Sequence, residues 1–179
     1  MTVAPPSIMA PSYEFSEVDD FACGTVGPTG QRVFFLQVRE GDIEASLKME
    51  KQQVAALARF LGEMLGDIER KSRVVASAGD PLDAAPEEAH FREPDSPDWI
   101  VGTIGAAYEE TNRRIILWIE ELTESDEEGD AASARIALRP GQVAGFVEQA
   151  KALVAAGRPP CPYCGAPLNS KDGFCPCWN

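Results

Sequence analysis

Apolar residues recur along the chain first at every second position and then at helical spacing, and this succession occurs twice. Residues 43–49 alternate Ile43, Ala45, Leu47 and Met49 against Glu44, Ser46 and Lys48, the period of a strand with one buried face. Val54, Leu57, Ala58, Leu61, Met64 and Leu65 then follow at the spacing of one helix face. Ala134, Ile136 and Leu138 repeat the alternation, and Val143, Phe146, Val147, Ala150, Leu153 and Val154 repeat the stripe. Each member of the second set lies 89 residues after its counterpart, as Val143 does after Val54. Gln53-Val54-Ala55 returns as Gln142-Val143-Ala144, and Gly24-Thr25-Val26-Gly27 as Gly102-Thr103-Ile104-Gly105.

The pattern predicts strands over 13–18, 21–26, 31–39 and 43–49 and a helix over 50–70. After a Pro-containing stretch it predicts strands over 99–108, 113–122 and 131–138 and a helix from Pro140 to Gly157. Gly27-Pro28-Thr29-Gly30, Glu40-Gly41-Asp42 and Glu110-Thr111-Asn112 carry turn chemistry. The expected fold is α+β: duplicated β-β-β-α units forming an antiparallel sheet core with two covering helices, related by a pseudo-twofold axis. The halves run over about 13–72 and 98–157, with 73–97 as a linker. Residues 1–12, rich in proline, are expected to be disordered, and 158–179 to form a zinc-binding tail.

Composition narrows the function. The 179 residues are 44% apolar and 25% charged, with a net charge of −13, ordinary for a globular chain and opposed to phosphate-neutralising contact with nucleic acid. No apolar run approaches the ~20 residues that span a bilayer. The start lacks the basic and apolar regions of a signal peptide. The expected location is the cytoplasm, with no nucleic-acid or membrane partner.

The strongest chemical signal is the tail: Cys161-Pro162-Tyr163-Cys164, then Cys175-Pro176-Cys177. A C-x2-C knuckle followed by Gly165, with two more cysteines a short hairpin away, suits a tetrahedral four-thiolate zinc site. The second pair is separated by one residue, tighter than the usual knuckle. The other readings are disulfides or free thiols. A four-sulfur shell is closed, so this zinc would be structural. Elsewhere Cys23 reads as core packing, and His90, the one histidine, as a solvated linker residue. The Gly-Thr-x-Gly stretches lack the lysine of a phosphate loop. Asp19-Asp20, Glu109-Glu110, Glu120-Glu121 and the run 124–130 read as a solvated acidic rim. No catalytic residue is assigned.

Phe21-Ala-Cys-Gly-Thr-Val-Gly27, Gln31-Arg-Val-Phe-Phe-Leu-Gln37, Glu50-Lys-Gln-Gln-Val-Ala-Ala-Leu57, Val101-Gly-Thr-Ile-Gly105 and Gly157-Arg-Pro-Pro-Cys-Pro-Tyr-Cys-Gly165 together resemble the DUF3090 family of actinobacterial proteins. The resemblance implies a lineage without an activity, and genes for histidine-phosphatase-like and lipid-kinase-like proteins nearby, which hints at a protein partner. It also implies a histidine two residues before the third tail cysteine, where this chain has Gly173. Cys177 stands in for it, or the site is incomplete.

The expected function is a binding or adaptor protein with a structural zinc site and another protein as partner. The alternative is an enzyme, or an enzyme subunit, using a groove between the two halves on a phosphorylated or anionic substrate. Arg32, Arg113 and Arg114 are the candidate anion binders there.

Overall fold

The computed structural model describes residues 10–75, 84–123, 131–157, 161–165, 168, 175 and 177. Four strands, β1 (Tyr13–Phe15), β2 (Asp20–Val26), β3 (Val33–Glu40) and β4 (Ile43–Met49), lead into helix α1 (Lys51–Val75). Three more, β5 (Trp99–Glu109), β6 (Arg114–Glu121) and β7 (Ser133–Leu138), lead into α2 (Pro140–Ala155). The chain is α+β, with one seven-stranded sheet in the order β1-β7-β6-β5-β4-β3-β2.

Within each unit the ladders are antiparallel, as tight turns between successive strands require. The joins between units are parallel: β4 with β5 and β7 with β1. A parallel join follows from α1, which returns the chain to the end where β4 began. The register repeats in both units. Cys23 lies opposite Leu36 and Leu36 opposite Leu47, just as Ala106 lies opposite Leu117 and Leu117 opposite Ile136. At the joins Leu47 lies opposite Trp99, and Ile136 opposite Phe15.

β1 and β2 stand at opposite ends of the strand order, yet only residues 16–19 connect them. Such a link reaches at most about 17 Å, whereas seven strands laid flat span about 29 Å. The sheet is therefore curled almost into a barrel. Its concave face and both helix stripes form one core, including Phe15, Leu36, Leu47, Leu61, Leu117, Ile136 and Phe146.

One side-chain type pins both helices to this ring. Gln53 Oε1 accepts from the Glu50 N–H at 2.8 Å, and its Nε2 donates to the carbonyls of Val101 and Gly102 at 3.1 and 3.3 Å. Gln142 Oε1 accepts from the Arg139 N–H at 3.0 Å, and its Nε2 donates to the Val18 carbonyl at 2.8 Å. Each glutamine closes the first turn of its own helix and bonds the other unit, Gln53 where β5 shifts register and Gln142 in the link between β1 and β2. Near the starts of β5 and β1, the Trp99 indole N–H donates to the Pro11 carbonyl at 2.9 Å.

Three sequence expectations change. Helix α1 continues to Val75, past the expected end at Arg70, because no glycine or proline interrupts it there. The two Gly-Thr-x-Gly stretches occupy different places. Gly24 lies opposite Phe35 and Gly27 turns the chain with φ +99°, whereas Gly102 abuts the 121–122 backbone and Gly105 lies mid-strand opposite Trp118. The described part of the expected linker, 84–97, is a strap bonded to the body. Glu87 forms a two-bond pair with Arg139, 2.7 and 3.0 Å, and its N–H donates to the Gly141 carbonyl. Gln37 exchanges two hydrogen bonds with the Arg92 backbone. The Phe91 ring fills the space a Cβ on Gly24 would need, and stands 6.4 Å from the Phe35 ring. Residues 1–9, most of the expected disordered start, lie outside the described residues, as does the acidic run 124–130.

Leu61 is fully buried on the α1 stripe and Glu63 is exposed. Leu61→Asp is expected to destabilise the chain by several kcal/mol, and Glu63→Lys by no more than about 0.5 kcal/mol. Thermal denaturation checks this, and equal melting of the two variants would contradict the placement of α1.

Candidate metal centre

Four cysteines far apart in the tail converge. The Sγ atoms of Cys161, Cys164, Cys175 and Cys177 all lie within 4.8 Å of one another. The Cys161–Cys177 and Cys164–Cys175 pairs are 3.5 and 3.4 Å apart. Local chemistry builds the first half of this cluster. The Gly165 N–H donates to the Cys161 carbonyl at 2.9 Å, and Gly165 adopts φ +73°, which an unbranched backbone takes without strain. The Tyr163 N–H points at Cys161 Sγ, 3.5 Å away. Cys161 and Cys175 are buried, and Cys164 and Cys177 exposed. Cys177, the sulfur that the tight C-x-C spacing left in question, stands within the cluster.

A metal with Zn–S bonds of about 2.3 Å places tetrahedral sulfurs about 3.8 Å apart. The cluster has this scale, so four close cysteines can bind a metal ion. Its electrostatics agree. The Cys177 thiol is pushed up from its ordinary value by the neighbouring Cys175 thiol, by loss of solvent, and by Cys164 and Cys161. Four thiolates this close repel one another, and a divalent cation reverses that preference.

The other sequence candidates stand apart. Cys23 is buried in the core, with its N–H donating to Gln149 Oε1 at 2.8 Å. Burial pushes its thiol up to about 12. His90 is exposed, as expected of a solvated residue, but it is not without partners: its Nδ1 lies 3.3 Å from Asp20 Oδ2, and its backbone N–H donates to Asp20 Oδ1. Asp20 is buried and also pairs with Arg39 at 3.1 Å, so it belongs to the strap's anchorage and not to a solvated rim. The sequence carried no local sign of this, because the three groups come from separate segments.

The groove between α1 and α2 has a volume of about 500 Å3. It is walled by small residues such as Ala58, Gly62 and Ala150, with Arg59, Glu63 and Lys151 at its sides. None of Arg32, Arg113 and Arg114 lines it. Arg32 donates to Thr29 Oγ1 and the Ala156 carbonyl, and Arg114 lies 3.8 Å from Glu17. No helix among the described residues is long and apolar enough to cross a membrane.

Residues 13–175 match the model of a family described as "Protein of unknown function (DUF3090)". No curated protein and no solved structure matches the chain.

Burial makes Cys23 unreactive, whereas the exposed tail thiols are open to attack. In reduced, chelated protein at pH 8, alkylation followed by mass spectrometry should label the exposed Cys164 first and the other tail cysteines next. Cys23 should be labelled only after denaturation. Labelling of Cys23 at the rate of Cys164 would contradict its placement in the core.

Proposed function

The chain belongs to the DUF3090 family, and we propose that it is a cytoplasmic binding or adaptor protein whose tail is folded around one structural zinc ion. The observation that carries this reading is the closed group of four sulfurs within 4.8 Å. Four thiolates favour zinc over oxygen-seeking cations. A shell completed by Cys161, Cys164, Cys175 and Cys177 leaves no position for a reacting water, so the metal's role is to hold shape. The tail, 158–179, is too short to bury a core, and metal binding stands in for one. Tyr163 beside the cluster is 82% exposed, which suits a contact surface. The partner is another protein. The net charge of −13 disfavours nucleic acid and anionic membranes. The common register and paired glutamines of the two units support an origin by internal repeat.

Purified under reducing, chelator-free conditions, the protein should carry about one zinc per chain, and Cys161→Ser/Cys164→Ser should lose it. Chelation should unfold the tail and leave the main thermal transition nearly in place, because the curled sheet has its own core. Absence of stoichiometric metal, or collapse of the whole fold on chelation, would remove the zinc-tail reading. Affinity purification from a native host with mass spectrometry tests the adaptor reading. A stoichiometric co-purifying protein is expected, and a chain recovered alone at native expression would contradict it.

A further inference from the structure

The two units match in their ladders but differ in what covers the edge of their first strand. In the first unit, α2 and the strap cover β2. Gln149 bonds the Cys23 N–H and the Ala89 carbonyl, Arg139 grips Glu87, and Phe91 lies on Gly24. In the second unit β5 pairs with β4 only at Trp99 and Ile100, and Gln53 takes the carbonyls of Val101 and Gly102. Beyond that, the outer edge of β5 over residues 103–109 takes no backbone partner among the described residues. An open strand edge is a template for another strand.

The surroundings are apolar. Trp118 is 45% exposed opposite Gly105, over which a Cβ would meet nothing within 4 Å. Ile100 and Leu122, joined by a backbone hydrogen bond, are also exposed. The counterpart of Gln149 by the helix offset is Phe60, 46% exposed. These are four of the six large hydrophobic residues exposed among the described residues, and three of them, Ile100, Trp118 and Leu122, lie in the unit that lacks a strap.

We propose that the β5 edge is the docking site for an extended, basic segment of a partner protein carrying an aromatic residue, which adds to the sheet as a strand. The strap shows what kind of chain fits this fold, and charge sets the difference. The counterpart of Arg139, which grips Glu87, is Glu50: both residues donate their N–H to the capping glutamine three positions on. Glu50 is exposed, and Glu120 stands on the outer face bonded to Thr103. A segment seated here meets acid where the strap meets base, so it carries Lys or Arg where the strap has Glu87. Ala56 replaces Gly145, against which the Glu87 carbonyl packs. The occupant therefore rides further from the helix and is held by the sheet edge, in the manner of β-augmentation.

The inference rests on the binding reading above for the partner being a protein. Its probe is a labelled peptide of residues 84–95 carrying Glu87→Lys, titrated against the full metal-loaded chain at low salt. It should bind about fivefold more tightly than the unaltered peptide, and the difference should shrink at high salt. Glu50→Arg should invert the preference, and Trp118→Ala should weaken both peptides. Hydrogen exchange should show the amides of 103–109 open in the free chain and slowed by the peptide. Equal binding of the two peptides, or no inversion in Glu50→Arg, would overturn the proposal. Edge amides already slow in the free monomer would place the chain's own segment there, and self-association abolished by Trp118→Glu would place a second copy there. Either overturns it. If the co-purifying protein stays bound to Trp118→Ala and Glu50→Arg, the β5 edge is the wrong site and the adaptor reading stands.

Discussion

Two glutamines hold the architecture together. A helix start leaves N–H groups without partners, and a bent strand leaves carbonyls without partners. Gln53 serves one N–H and two carbonyls, Gln142 serves one N–H and the Val18 carbonyl, which it shares with Arg139 Nη1, and each reaches from the helix of one unit to the start of the other. The curled sheet depends on this. Parallel joins at β4–β5 and β7–β1 are short, two and three residue pairs long, and such short ladders are weak by themselves. Gln142 is buried, so its bonds to the Arg139 N–H and the Val18 carbonyl form away from competing water, where an unmade partner costs most.

From that symmetric frame an asymmetry follows. The connection after α1 is long enough to pass α2, cross β2 and β3 and enter β5, and it seals the outer side of the first unit. Its fixings are specific: the Glu87–Arg139 pair, which raises the Arg139 pKa above its ordinary value, the exchange between Gln37 and Arg92, and the seat of Phe91 on Gly24. Around the β5 edge stand Glu50, Phe60 and Trp118, where the β2 edge has their counterparts Arg139, Gln149 and Gln37, and the β5 edge is uncovered among the described residues. One half of the ring is finished by its own chain, and the other half presents a surface.

The sequence revealed what local periodicity encodes. Alternation at 43–49 and the stripe from Val54 to Leu65 placed strand and helix correctly, and the core too except for Ile43, which is exposed at the start of its strand, because burial on one face leaves a mark at every second or every third and fourth residue. The convergence of Cys161, Cys164, Cys175 and Cys177 was legible for a similar reason: residue type and spacing are themselves the signal. The strap was not legible. Prolines and acids in 84–97 look like linker composition, whereas its hold comes from Asp20, Gln37 and Gln149, remote in sequence and ordinary in type. The repeated Gly-Thr-x-Gly misled, since a glycine at a turn and a glycine in mid-strand read alike until the register is known. The parallel joins likewise depend on where α1 delivers the chain, which no short window contains.

The central physical claim is that the two units open and close as one body because each helix is pinned to the other unit. Native-state hydrogen exchange on Gln142→Ala tests it most directly. The slowest amides of β3 and of β6 should lose the same opening free energy, about 1–3 kcal/mol. A fall in one unit with the other unchanged would contradict the claim and show two units that fold separately.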